Sequence, residues 1–260
     1  MSHLLYRTRS LLSYLWHGQG RYNVHSDFVY QFINQVLRDK KQAPEWKQIE
    51  GIRKQIKGDF TPITAQSFGA VKRPPTTASA KVRQTAISPL YGRLLYRCAA
   101  YFECCNILEI GTGTGISTLY LGSGSTVKRM VSLEGNAALA TLAIEQINKR
   151  KLNQIEIIVG EFDSTLSTAL GKLSSVDMVF IDGNHQKEPT LRYYTQILPY
   201  IHNETVLIFD DIHWSPDMQD AWKEIISRPE VTLSLDFYRM GLVFFRKEFR
   251  QPQHLQLYYW

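Results

Sequence analysis

Two apolar runs in the second half of this 260-residue chain end in carboxylates. One finishes Phe180-Ile-Asp-Gly-Asn-His185, the other Ile208-Phe-Asp-Asp-Ile-His-Trp214. Brought together, Asp182, Asp210 and Asp211 would repel, and some would take up protons unless a cation held them ionised. A divalent metal is the economical cation for such a set. His185 lies three residues beyond Asp182, and an imidazole with an ordinary pKa of about 6.5 can take a proton at neutral pH. A different chemistry is offered by Ile107-Leu-Glu-Ile-Gly-Thr-Gly-Thr-Gly-Ile-Ser-Thr118. Its glycines, Gly111, Gly113 and Gly115, permit positive φ or close approach of the backbone to a ligand. The spacing is not that of a dinucleotide fingerprint, and for the motif alone an ordinary glycine-rich turn is the alternative. Glu109 stands two residues before the first glycine, and Glu134 closes Met130-Val-Ser-Leu-Glu, 23 residues beyond Gly111. A carboxylate at that strand end can accept hydrogen bonds from both hydroxyls of a ribose.

These residues need strands to carry them. From Asn106 onward apolar runs alternate with amphipathic stretches, the pattern of βα units building a parallel sheet. Seven strands are predicted, at 107–110, 129–134, 155–159, 176–181, 205–210, 231–236 and 241–246. Helices are expected at 116–121, 137–150, 164–170, 189–201 and 216–227, with Pro189 and Pro216 in first turns. No helix fits between Asp236 and Gly241, so the last two strands should form an antiparallel hairpin.

The first hundred residues differ in texture. Segments 4–16 and 28–37 read as helices, 40–60 as polar, and 72–80, Lys-Arg-Pro-Pro-Thr-Thr-Ala-Ser-Ala, as an exposed loop. A helix over 88–101 then leads into the first strand, with Ser88 as cap and Pro89 in the first turn. The expected organisation is a helical cap or lid over 1–87 and a ligand-binding domain over 88–260.

The glycine turn with Glu109 resembles motif I of class I S-adenosylmethionine-dependent methyltransferases. The resemblance implies a Rossmann-like α/β fold with a seven-stranded, mostly parallel sheet. It also implies S-adenosylmethionine as cofactor, with the three glycines beneath its methionine part, Glu109 at its ammonium and Glu134 at its ribose. Gly160-Glu-Phe-Asp163 falls where that family places adenine contacts, which puts Glu161, Phe162 and Asp163 in the cofactor site; a helix cap is the alternative for Asp163. Over roughly 90–246 the chain is similar to catechol and caffeoyl-CoA O-methyltransferases, which hold magnesium with an aspartate after strand four and an Asp-Asn pair after strand five. In the class I strand order these two strands are neighbours. Asp182 and Asp210 match the aspartates, and Asp211 replaces the asparagine; an acidic pair also resembles the cephalosporin hydroxylase-like branch. Asp182 borders the cofactor as well. His185 stands where the catechol enzymes carry a lysine that takes the hydroxyl proton, which implies a general base; a metal ligand and a loop histidine bonded to backbone remain the alternatives. His213 and Trp214 are expected to wall the acceptor pocket, or to lie in the core. Gly20–Tyr30 and Ser67-Phe-Gly-Ala70 resemble bacterial methyltransferase-like proteins with a helical extension. Arg21, Tyr22, His25 and Ser26 could then reach over the site as a lid bounded by Gly69 and Pro74-Pro75, with a cap or surface position the alternative for His25.

Composition narrows the classes. Hydrophobic residues make up 44% of the chain, enough for a packed core. No apolar run approaches the roughly 20 residues of a membrane helix, so a cytoplasmic protein is expected. Cys98, Cys104 and Cys105 lack the paired spacing of a zinc site and read as packing residues. The net charge of +6 is uneven: residues 1–104 hold 16 Lys+Arg against 6 Asp+Glu, and 105–260 hold 14 against 18. A basic front can attract a polyanion, but no nucleic-acid-binding motif accompanies it. The reading is therefore an O-methyltransferase of a small molecule, assisted by Mg2+ or another divalent cation. The alternatives are an RNA or protein methyltransferase and a non-catalytic cofactor-binding module.

Overall fold

The computed structural model describes residues 3–63 and 76–259. The chain divides into two compact units, one of Asp39–Ser174 and one in which Met1–Arg38 joins Ser175–Trp260. The front segment opens with α1 (His3–His17) and α2 (Asp27–Phe32), the latter capped by Ser26, whose hydroxyl accepts from the Val29 N–H.

The unit over 39–174 contains two helices in stretches read as polar or loop. Helix α3 (Pro44–Lys57) buries Trp46, Ile49, Arg53 and Ile56 at helical spacing. The two-residue strands β1 (Pro62–Ile63) and β2 (Thr76–Thr77) pair antiparallel, and α4 (Ala78–Thr85) follows, with the Thr77 hydroxyl accepting from the Ala80 N–H. Gly69 and Pro74-Pro75 lie outside the described residues. In α5 (Pro89–Tyr101) Ser88 holds the cap position, but its side chain makes no cap hydrogen bond; its carbonyl accepts from Gly92 instead. The core of the unit is β3 (Asn106–Ile110), α6 (Ile116–Gly122), β4 (Arg129–Glu134), α7 (Ala137–Lys149), β5 (Ile155–Val159) and α8 (Phe162–Leu173). The order is β3-β4-β5, all parallel, with Leu108 opposite Val131 and Val131 opposite Glu156. Helix α3 is tied to α6 by the Tyr120 hydroxyl donating to Glu50 at 2.9 Å, and Arg53 holds the same Glu50. Helix α3 thus belongs to the glycine-turn unit.

In the other unit, β6 (Met178–Ile181), α9 (Lys187–Ile197), β7 (Val206–Phe209), α10 (Pro216–Ile226), β8 (Leu233–Asp236), β9 (Gly241–Phe244) and β10 (Gln253–Gln256) follow in order. The strands lie in the order β10-β8-β9-β7-β6. Strands β6 and β7 are parallel, β9 runs antiparallel to β7 and to β8, and β10 is parallel to β8. All seven predicted strands are present, the last two form the predicted hairpin, and β10 is an eighth. Its Gln-His-Leu-Gln sequence lacks the apolar run that marks the others. The resulting architecture is α/β with mostly parallel pairing and helices at the N-terminus.

Candidate active site

In the first unit the site residues leave the carboxyl ends of parallel strands. Gly111, Gly113 and Gly115 all take positive φ, at 106°, 54° and 80°, a region that non-glycine residues enter at a cost. A Cβ on Gly115 would lie 2.8 Å from that of Ala143, so this glycine lets α6 approach α7. A Cβ on Gly113 would meet nothing within 4 Å. That open space is where a ligand could pass the backbone.

Two carboxylates support the turn. Glu134 accepts from the Gly113 N–H at 2.7 Å through Oε2 and from the Asn136 N–H at 2.8 Å through Oε1, and each oxygen keeps a second lone pair. Burial pushes its carboxyl up; the backbone N–H groups of Asn136 and Gly113 and the charge of Lys81 on α4 oppose that. Glu109 is fully buried, and its Oε2 accepts from the hydroxyls of Thr118 and Ser132, both at 2.6 Å. Its carboxyl is pushed up to about 7 by burial, against the hydrogen bonds of Ser117, Ser132 and Thr118. Glu109 Oε1 and the Thr114 hydroxyl are buried without a hydrogen-bond partner, an arrangement proteins rarely leave unanswered. After β5, Gly160 sits at φ 152°, Glu161 caps α8 through its carbonyl, and Phe162 and Asp163 open the helix. The cap is thus Glu161, not Asp163.

In the second unit the parallel pairing of β6 with β7 sets Ile181 opposite Phe209, and the Asp210 N–H donates to the Ile181 carbonyl at 3.0 Å. Asp182 and Asp210 therefore leave adjacent strand ends. Asp210 is only 1% exposed. Both of its oxygens are taken by Arg239, Nε to Oδ1 at 3.1 Å and Nη2 to Oδ2 at 2.9 Å. The same Nε lies 3.8 Å from Asp211 Oδ1. Burial pushes the Asp211 carboxyl up, and Asp210 adds to that, while Arg239, His185 and Arg7 oppose it. For Arg239, burial disfavours the charge, but the hydrogen bond to Asp210 and the fields of Asp210, Asp211 and Asp182 outweigh it, holding the guanidinium above its ordinary range. His185 Nε2 lies 3.6 Å from Asp182 Oδ1, with the imidazole partly exposed. Among the described residues, no group of three His, Cys, Asp or Glu could hold a metal ion.

The backbone here is strained. Asn184, His185, Asp211 and Tyr238 have φ of 65°, 45°, 56° and 67° without being glycine. Such residues cost roughly 1–3 kcal/mol each and cluster where surrounding structure fixes a functional geometry.

His213 lies among the buried residues. Its Nε2 lies 2.7 Å from Asp236 Oδ2, and its ring stacks on Tyr238 at 5.4 Å. Trp214 is partly exposed, and Arg7 from α1 lies 4.5 Å above its ring. Helix α1 is further held by the Tyr6 hydroxyl donating to the Ser215 carbonyl and the Tyr238 hydroxyl donating to the Arg7 carbonyl, both at 3.1 Å. Within the proposed lid, His25 is exposed and Ser26 spends its hydroxyl on the α2 cap. The sequence reading missed Arg239, Asp236, Arg7 and Lys81. Only Arg239 left a trace, as the one cation in a four-residue hairpin turn.

Residues 108–212 match a family described as a methyltransferase domain. The catechol O-methyltransferase of Mycobacterium tuberculosis is 29% identical over 136 residues, covering 52% of this chain and 60% of that protein. That of Niastella koreensis is 28% identical over 138 residues, covering 52% and 62%. The chain thus matches about 60% of the length of these curated relatives. Among solved structures, the S-adenosylhomocysteine-bound methyltransferase of Podospora anserina superposes with a TM-score of 0.61 at 16% identity, covering 86% of this chain and 97% of that one. The Bacillus cereus O-methyltransferase in complex with S-adenosylhomocysteine gives 0.56 at 21% identity, covering 84% and 97%. Identities this low speak for the fold alone. The methyltransferase-domain match spans the glycine turn, Glu109, Glu134, Asp182, Asp210 and Asp211, and in sequence the chain is similar to catechol O-methyltransferases.

Proposed function

We propose that the protein is an S-adenosylmethionine-dependent methyltransferase that methylates an oxygen of a small molecule. The observation that carries this is the glycine turn: Glu109 Oε1 and the Thr114 hydroxyl are buried without partners, and a Cβ on Gly113 would meet nothing within 4 Å. A ligand with a cationic ammonium and polar hydroxyls answers those groups, so S-adenosylmethionine fits. Glu109 would hold the ammonium, Glu134 the ribose through its spare lone pairs, and Glu161, Phe162 and Asp163 would line the adenine end. When bound, S-adenosylmethionine supplies a methyl group on a sulfonium, open to in-line attack by an oxygen.

The residues of the second unit would prepare that oxygen. The His185 imidazole takes the hydroxyl proton, and the Asp182 carboxylate, 3.6 Å away, stabilises the resulting imidazolium. Most of the protein's contribution is orientation and charge. Magnesium held by Asp182, Asp210 and Asp211 would lower the hydroxyl pKa in the same step. The donor set does not fit it, because both Asp210 oxygens already face the fixed positive charge of Arg239 and among the described residues no group of three His, Cys, Asp or Glu could hold a metal ion.

The test is transfer of a tritiated methyl from S-adenosylmethionine into a fractionated cell extract. Label in small molecules, reduced at least a hundredfold in His185→Gln, is the expected result. Label confined to RNA or protein, or none, would overturn the reading.

A further inference from the structure

Three carboxylates at one set of strand ends need a cation. Asp210 has one in the bidentate form, in which a guanidinium fork takes both carboxylate oxygens. The same guanidinium faces Asp211 at 3.8 Å, and the charge of Asp182 acts on it as well. Its position is built rather than adventitious. Arg239 lies in the turn 237–240 between β8 and β9, where Asp236 accepts from the Tyr238 N–H at 2.7 Å and pairs with buried His213. Tyr238, next to Arg239, is held at φ 67°. A divalent metal would have to share both Asp210 oxygens with the guanidinium and would sit against its fixed positive charge, and among the described residues no group of three His, Cys, Asp or Glu could hold one.

We infer that Arg239 is the resident cation of the acidic loops, standing where the family resemblance implies a divalent metal, so that the site works without one. This rests on the reading of these loops as the acceptor side of a methyltransferase. Arginine stays charged at every physiological pH, so the site keeps its cation whatever the metal supply. Its single charge neutralises one of the three carboxylates where a metal's two would neutralise two. The acceptor class this favours is a neutral or cationic molecule that presents hydroxyl donors; a phosphate-bearing or otherwise anionic acceptor is disfavoured. The hydroxyl proton then goes to the His185 imidazole, with no metal to lower its pKa.

Manganese binding followed by electron paramagnetic resonance reads this without any turnover. Wild type should bind no stoichiometric Mn2+ at millimolar metal. Arg239→Ala should gain one site at least tenfold tighter than wild type, and Arg239→Lys, which keeps the charge, should not. Circular dichroism establishes that each variant is folded. One tight Mn2+ in wild type, lost in Asp210→Asn, would overturn the inference, as would a folded Arg239→Ala with no gain. If Arg239→Ala does not fold, the wild-type titration decides alone. Calorimetry with S-adenosylmethionine on the same samples separates the two readings: binding retained while wild type takes up Mn2+ defeats the role of Arg239 and leaves the proposed function standing.

Discussion

The glycine-turn unit and the acidic-loop unit solve opposite problems. In the first, two carboxylates are buried among backbone N–H groups and hydroxyls, with no ion pair to Glu109 or Glu134 among the described residues, and the turn is built from glycines that can take positive φ. In the second, the carboxylates face cations directly and the positive φ falls on Asn184, His185, Asp211 and Tyr238. Burial leaves the first site short of positive charge, which a cationic ligand can bring. The second carries its cation in its own chain.

That contrast breaks most visibly at Arg239. Removing one partner of a buried pair strands the other charge, so Arg239→Ala should cost about 4 kcal/mol by urea unfolding. Replacing both partners, as in Asp210→Asn with Arg239→Gln, should cost distinctly less.

The next largest effect belongs to Glu109 and has the opposite origin, a charge disfavoured in the fold. Its carboxyl sits at about 7 in the fold against 4.5 ordinarily. Below the lower value it is protonated in both states and costs nothing. As pH rises between the two, the unfolded chain ionises first and stability falls, reaching a full loss of about 3 kcal/mol above the folded value. Urea unfolding from about pH 5 to pH 8 should show this slope in wild type and lose it in Glu109→Gln. Affinity for S-adenosylmethionine should rise over the same range, because the ionised carboxylate is the form that receives an ammonium.

The smallest effects separate two glycines, Gly113 and Gly115, that differ in what a Cβ would meet. Gly115→Ala meets Ala143 at 2.8 Å as well as an unfavourable φ and should cost about 2 kcal/mol. Gly113→Ala meets only the φ and should cost about 1 kcal/mol, yet lose more cofactor affinity than Gly115→Ala loses per unit of stability, since its Cβ enters the open space. Thermal melts with and without ligand measure both.

These two regions also differ in how far they could be read from residues alone. The turn, Glu109 and Glu134 were legible because a local spacing and a strand end fix them, and the seven strands because each carries an apolar run. Arg239 was not, because its partner Asp210 lies 29 positions away and meets it only through the β7-β9-β8 pairing. Helices α3 and α4 were missed because a few buried residues, such as Trp46, Ile49 and Ile56, carry the apolar face of a segment that is otherwise polar. His213 could be placed in a pocket wall or in the core, and the choice fell to Asp236, on a strand it reaches only in the fold.

The most direct test is calorimetric titration of the wild-type protein with S-adenosylmethionine at mildly alkaline pH, with magnesium and with a chelator. One equivalent bound, with the same affinity in both conditions and weakened in Glu134→Ala, is the expected result. No binding in either condition, or binding that requires magnesium, would contradict a cradle that holds the cofactor by its own carboxylates and acidic loops neutralised by Arg239.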